Sequence, residues 1–172
     1  MTRDSRSRQA LRFLGSAALM LAFLTVALPI HAADEPDFKA KMKQVIAAWG
    51  TLDPGKAAPY YSKEANAVFF DIAPLKYVGW SAYAAGTAAM FSEWTSLTMA
   101  INDDVKIDRH GDVAITTATG RAEFVGKDGS KGALEWRSTL VWKKTGKEWL
   151  IAHEHFSTPL PEPAPAAATP AK

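Results

Sequence analysis

The chain has 172 residues, with 20 Lys and Arg against 18 Asp and Glu, six tryptophans and no cysteine. The missing cysteines exclude a disulfide framework and thiolate chemistry. Residues 1–33 hold four of the basic residues and one acidic residue, which leaves 16 and 17 in the remainder. That remainder is close to neutral and has no Lys/Arg cluster to follow a phosphate backbone, so a nucleic-acid partner is not expected.

Residues 1–33 read as a signal peptide. Arg3, Arg6, Arg8 and Arg12 form a basic start, Phe13 to Ile30 is an uncharged and mostly apolar run, and His31-Ala32-Ala33 ends it on small residues. A retained anchor is the other reading, but Gly15, Ser16 and Pro29 leave the run marginal for the roughly 20 apolar residues that a membrane span needs. Cleavage after Ala32 or Ala33 places the protein in the periplasm or outside the cell, with no membrane contact once the leader is gone. Residues 159–172 are rich in Pro and Ala and read as a disordered tail. The folded domain is therefore expected over residues 34–158.

Phe38, Met42, Val45, Ile46 and Trp49 recur at helical spacing, with Asp34 placed to cap and Pro36 in the first turn. Asp53-Pro54-Gly55 stops that helix, and a short helix follows over Ala57 to Tyr61. Ala67 to Phe70 reads as a strand ending at Asp71, and Leu75 to Val78 as its short partner. Gly79 opens a third helix, with Tyr83, Thr87, Met90 and Trp94 along one face. After Trp94 the pattern is strand only. Ser96 to Ile101 and Val105 to Ile107 form one strand with an irregularity between them. Val113 to Val125, Ala133 to Lys143 and the strand opened by Trp149 follow, joined by turns at Gly111, Gly129 and Gly146. Helices grouped ahead of an antiparallel meander indicate an α+β domain.

The closing strand carries the clearest hint of a pocket. Alternation puts Trp149, Ile151, His153, His155 and Ser157 on one face, apolar at one end and ionisable at the other. The two histidines have three readings: polar lining, a general base, or two ligands of a metal that lacks a sequence-adjacent third. The same alternation places Glu154 on the opposite face.

The order of elements, with Ala67-Val68-Phe69-Phe70-Asp71, Gly79, Arg137-Ser138-Thr139 and the strand from Trp149 to Ser157, resembles the SnoaL-like domains of the NTF2-like, or ketosteroid isomerase-like, superfamily. The resemblance implies a cone: a curved antiparallel sheet wrapped around N-terminal helices, enclosing a small-molecule pocket, often in a homodimer. It places the Arg137 and Thr139 face inward, with Asp71 or Glu135 as a carboxylate partner for Arg137. The opposite face, with Trp136, Leu140 and Trp142, is then left for the dimer contact. Trp49, Tyr61 and Trp94 become candidate walls of the pocket, although helical spacing also fits Trp49 and Trp94 to ordinary core. Asp71 matches the position of the isomerases' general base, yet the first helix carries Ala47, Ala48 and Trp49 where those enzymes have a tyrosine, which speaks against steroid isomerisation.

The expected function is thus an exported domain that binds a small, largely apolar organic molecule. Acid–base chemistry of an isomerase, dehydratase or hydrolase type would use Asp71, His153 and His155, with Arg137, Thr139, Trp49, Tyr61 and Trp94 holding the ligand. The alternative is a non-catalytic binding or assembly module. No cofactor is expected.

Overall fold

The computed structural model describes residues 36–160. The expected leader and most of the Pro/Ala-rich tail lie outside the described residues. The helical front comprises α1 (Phe38–Trp49), a one-turn α2 (Pro54–Ala57) running into a 3-10 turn, and α3 (Trp80–Phe91). The first helix is capped by Asp37, whose carboxylate accepts a hydrogen bond from Ala40 N at 2.9 Å. Asp34, the cap expected from sequence, falls outside the described residues. Gly79 precedes α3 with φ of 77°, a conformation that an L side chain rarely adopts.

Seven strands form one curved, open sheet: β1 (Val68–Phe70), β2 (Tyr77–Val78), β3 (Trp94–Ile101), β4 (Lys106–His110), β5 (Val113–Gly126), β6 (Lys131–Thr145) and β7 (Glu148–Ser157). Their order is β2-β1-β7-β6-β5-β3, and β4 pairs with β5 beyond the end of β3. The irregularity expected around residues 102–104 therefore separates two strands on the same edge of β5. All pairings between these strands are antiparallel except β1 with β7, so the sheet is mixed rather than purely antiparallel.

The helices cover the inner face of this sheet. Phe38, Met42, Val45 and Trp49 of α1 and Tyr83, Thr87 and Phe91 of α3 are buried. Phe38 packs edge-on against Trp149, with ring centroids 5.1 Å apart, and tilts against Trp142 at 5.6 Å.

The facing of β6 reverses the expectation. Trp136, Ser138, Leu140 and Trp142 point inward, and Trp136 and Trp142 are 1% and 0% exposed. Gly120 lies opposite Trp136, where a Cβ would run into the indole ring. Trp142 Nε1 donates to Thr116 Oγ1 at 2.9 Å. Burying two indoles removes several hundred square ångströms of largely apolar surface from water, and the inner face is where that occurs. A dimer contact built on Trp136 and Trp142 is thereby ruled out.

Candidate functional site

The phase of β7 changes along its length. Trp149 and Ile151 face inward, yet so do Glu154 and Phe156. The register explains it: Trp142 pairs with Ile151 while Val141 pairs with His153, so Ala152 is the extra residue of a β-bulge. One unpaired residue exchanges the two faces of everything beyond it. His153 and His155 are carried outward and Glu154 inward, which overturns the sequence assignment of this strand.

The outward groups do meet one another. His155, Arg137, Thr139 and Ser157 share a hollow of about 670 Å³ on the outer face of the sheet. Arg137 Nε donates to Ser157 Oγ at 3.2 Å, and the expected partner Asp71 lies on the other side of the sheet. His153 is half-buried, with Nδ1 2.7 Å from the Val68 carbonyl oxygen and its ring edge-on to Phe70. Neither histidine, nor Arg137, nor Thr139 lines the inner cavity. Among the described residues no group of three His, Cys, Asp or Glu is placed to hold a metal ion.

The inner cavity lies between α1, α3 and the sheet and encloses about 90 Å³. That is below the roughly 150 Å³ engineered cavity that accepts benzene. The cavity is open to solvent, and its lining residue Ile72, next to Asp71, is 50% exposed. A space of this size admits nothing larger than a single ring, and a ring only where it extends into the open end, and it excludes a fused tetracycle. Its walls are apolar and aromatic, including Met42, Trp49, Phe91, Trp94 and Leu140. Trp94 stacks on Phe124 with centroids 4.7 Å apart, a wall formed across the β3–β5 pair. Trp49 and Trp94 therefore do line the pocket, and Trp49 belongs to the core as well.

Two carboxyl groups face this apolar space. Glu154 is 4% exposed and bonded at both oxygens: Tyr61 OH donates to Oε2 and Tyr83 OH to Oε1, the latter at 2.8 Å. Trp49 Nε1 donates to Tyr61 OH at 2.8 Å, which extends the chain of hydrogen bonds to α1. Burial pushes the Glu154 carboxyl up to about 7, and the nearby Asp71 charge adds to the rise, while the two phenols hold it down. Both phenols are themselves pushed well above the usual tyrosine range, first by burial and then by the Glu154 charge. Tyr61, expected to contact ligand, instead sits behind the wall and holds Glu154.

Asp71 follows β1 at the mouth. Its Oδ1 accepts from Ile72 N at 2.7 Å, and burial raises its pKa. β1 brings it there by pairing with β7: Phe69 lies opposite Glu154, and Phe70 opposite His155.

The SnoaL-like domain profile matches residues 39–161, most of the chain. This chain belongs to the SnoaL-like domain family. Among solved structures, this SnoaL-like domain is similar to an NTF2-like superfamily protein from Salmonella enterica, with 19% identity over 76% of this chain and 94% of that one and a TM-score of 0.68. It is similar to an NTF2-like protein of unknown function from Pseudomonas putida, with 21% identity over 73% and 86% and a TM-score of 0.61. A third is a candidate dehydratase of the NTF2-like family from Streptomyces avermitilis, with 17% identity over 73% and 100% and a TM-score of 0.62. At these identities the likeness carries the fold alone. No curated protein matches the sequence.

Proposed function

We propose that this SnoaL-like domain takes a small, largely apolar organic molecule into the inner cavity and moves a proton on it. The carrying observation is the pairing of two unlike carboxyl groups over one apolar space: Asp71 at the mouth and Glu154 deeper, held by two phenols. Groups whose surroundings push them to different protonation states are how one site supplies both an acid and a base. Asp71, with a single backbone hydrogen bond, is the base that takes a proton from a carbon or hydroxyl of the ligand. Glu154, proton-bearing for much of the time near neutrality, returns one. Tyr83, which lines the cavity and bonds Glu154, holds that carboxyl in place. The similar Streptomyces structure, called a candidate dehydratase, fits chemistry of this class. The expected leader makes this an exported protein, working in the periplasm or beyond.

The test is deuterium exchange. The protein is incubated in heavy water with a panel of single-ring ketones and β-hydroxy ketones, and mass spectrometry reads the label. Exchange above buffer that disappears in Asp71→Asn supports the reading. Exchange unchanged in both Asp71→Asn and Glu154→Gln refutes it. The alternative is a binding module without turnover, and one observation favours it: both Glu154 oxygens are already engaged by protein phenols. Ligand binding with no exchange across the panel decides for that alternative.

A further inference from the structure

One polar group in the cavity wall has no partner. Ser138 sits on the inner face of β6 between Trp136 and Leu140, is 6% exposed, and its Oγ makes no hydrogen bond. Buried hydroxyls are almost always satisfied, so an orphan calls for an explanation. Ser138 lines the same cavity as Glu154. The pairing of β6 with β7 sets Ser138 opposite Phe156 and Leu140 opposite Glu154. Ser138 and Glu154 are thus diagonal neighbours on one face, with about 7–8 Å between Cα atoms. Apart from these two, the side chains the sheet gives to the wall are hydrocarbon, thioether or aromatic.

Charge narrows the ligand further. The lining includes Asp71 and Glu154 and no Lys, Arg or His. A carboxylate or phosphate would add negative charge beside Asp71 and Glu154 in a desolvated space with no cation to meet it. A hydroxyl both donates and accepts, which suits a neutral oxygen. We infer that Ser138 is a positioning residue for a neutral ligand of single-ring size, holding its one carbonyl or hydroxyl oxygen so that the adjoining carbons lie toward Asp71 and Glu154. This rests on the proposed function and names the substrate class for that site.

The experiment uses probes that share one ring: methylcyclohexane, cyclohexanone, cyclohexylamine and cyclohexanecarboxylate. Binding to the purified protein is followed by tryptophan fluorescence, since Trp49 and Trp94 line the cavity. Cyclohexanone is expected to bind about tenfold more tightly than methylcyclohexane, the increment of one neutral hydrogen bond. The carboxylate probe is expected to bind more weakly than the ketone, and the ammonium probe measures whether Asp71 and Glu154 draw a cation in preference to a neutral oxygen. Ser138→Ala should bring the ketone down to the hydrocarbon's affinity and leave the hydrocarbon unchanged. Its melting temperature should not fall, because the deleted hydroxyl has no protein partner. Tighter binding of either charged probe overturns the neutral assignment. A ketone preference that survives Ser138→Ala, equal binding of ketone and hydrocarbon to the unaltered protein, or a destabilised Ser138→Ala overturns the role of Ser138 while leaving the cavity as a binding site. If no ring binds at all, the proposed function falls together with this inference.

Discussion

Replacing Glu154 by Gln should flatten the pH dependence of stability. The folded state holds this carboxyl at about 7 against an ordinary value of 4.5. Between those values the native protein therefore binds more protons than the unfolded chain, and stability falls as pH rises. The contribution is complete below about 4.5 and lost above about 7. At about 1.4 kcal/mol per unit, the part that falls between pH 5 and pH 8 is on the order of 2–3 kcal/mol. The groups facing Glu154 are Tyr61 and Tyr83, which stay neutral across this range, and Asp71, whose raised pKa adds a change of the same sign. Gln has no such titration. Its amide can accept from one phenol, but its NH2 must point at the other. Tyr61 already accepts from Trp49, so the reversal falls on Tyr83, whose proton can turn into the cavity. The assay is urea unfolding at pH 5, 6, 7 and 8 at constant ionic strength. The unaltered protein should lose roughly 2–3 kcal/mol across the series, and Glu154→Gln should show little of that change. Equal stability of the unaltered protein at pH 5 and 8, or a variant that keeps the full slope, would refute the reasoning.

Asp71→Asn removes the charge that helps raise Glu154, so the fall in stability should move to lower pH in the same titration, with loss of deuterium exchange. Tyr83→Phe deletes a hydrogen bond to a carboxylate and should cost about 1.5–3 kcal/mol at pH 8 by urea unfolding, with a smaller loss at pH 5. Trp142→Ala should destabilise by about 3–5 kcal/mol, whereas Arg137→Ala on the outer face should stay within about 0.5 kcal/mol, and the reverse order would restore the original facing of β6. Intact-mass analysis of protein from its native host should show a start at Ala33 or Asp34, and a full-length chain in the membrane fraction would refute the leader.

Most of the fold was legible because it rests on local signals. The spacing of Phe38, Met42, Val45 and Trp49, the glycines at 79, 111, 129 and 146, and the long Thr-rich strand each mark an element without help from distant residues. The site was half legible. Asp71, Trp49 and Trp94 line the cavity. His153, His155, Arg137 and Thr139 were placed on the wrong face for two separate reasons. On β6 the apolar residues Leu134, Trp136, Leu140 and Trp142 share one parity, and that alternation alone points them inward, against the facing that the family resemblance implies. On β7 nothing in Ala152 announces a bulge. The signal lay in a change of phase, since Trp149 and Ile151 stand at odd positions and Phe156 at an even one. Tyr61 and Tyr83 reach Glu154 from 93 and 71 residues away, a distance that no local pattern spans.

The parallel pairing of β1 with β7 also makes the last strand of the fold the one that completes the sheet. β7 is the last element of the fold to be synthesised, and it is the strand that joins the hairpin of β1 and β2 to the rest of the sheet. Until it docks, β6 has an open edge, Ser62 N lacks the Ile151 carbonyl it donates to at 2.9 Å, and the phenols of Tyr61 and Tyr83 have no carboxylate to meet. A chain halted after β6 lacks the buried Trp149, Ile151 and Glu154 and leaves the edge of β6 open to any other strand. The docking of β7 therefore pairs the edge of β6 and brings Glu154 to its two phenols together.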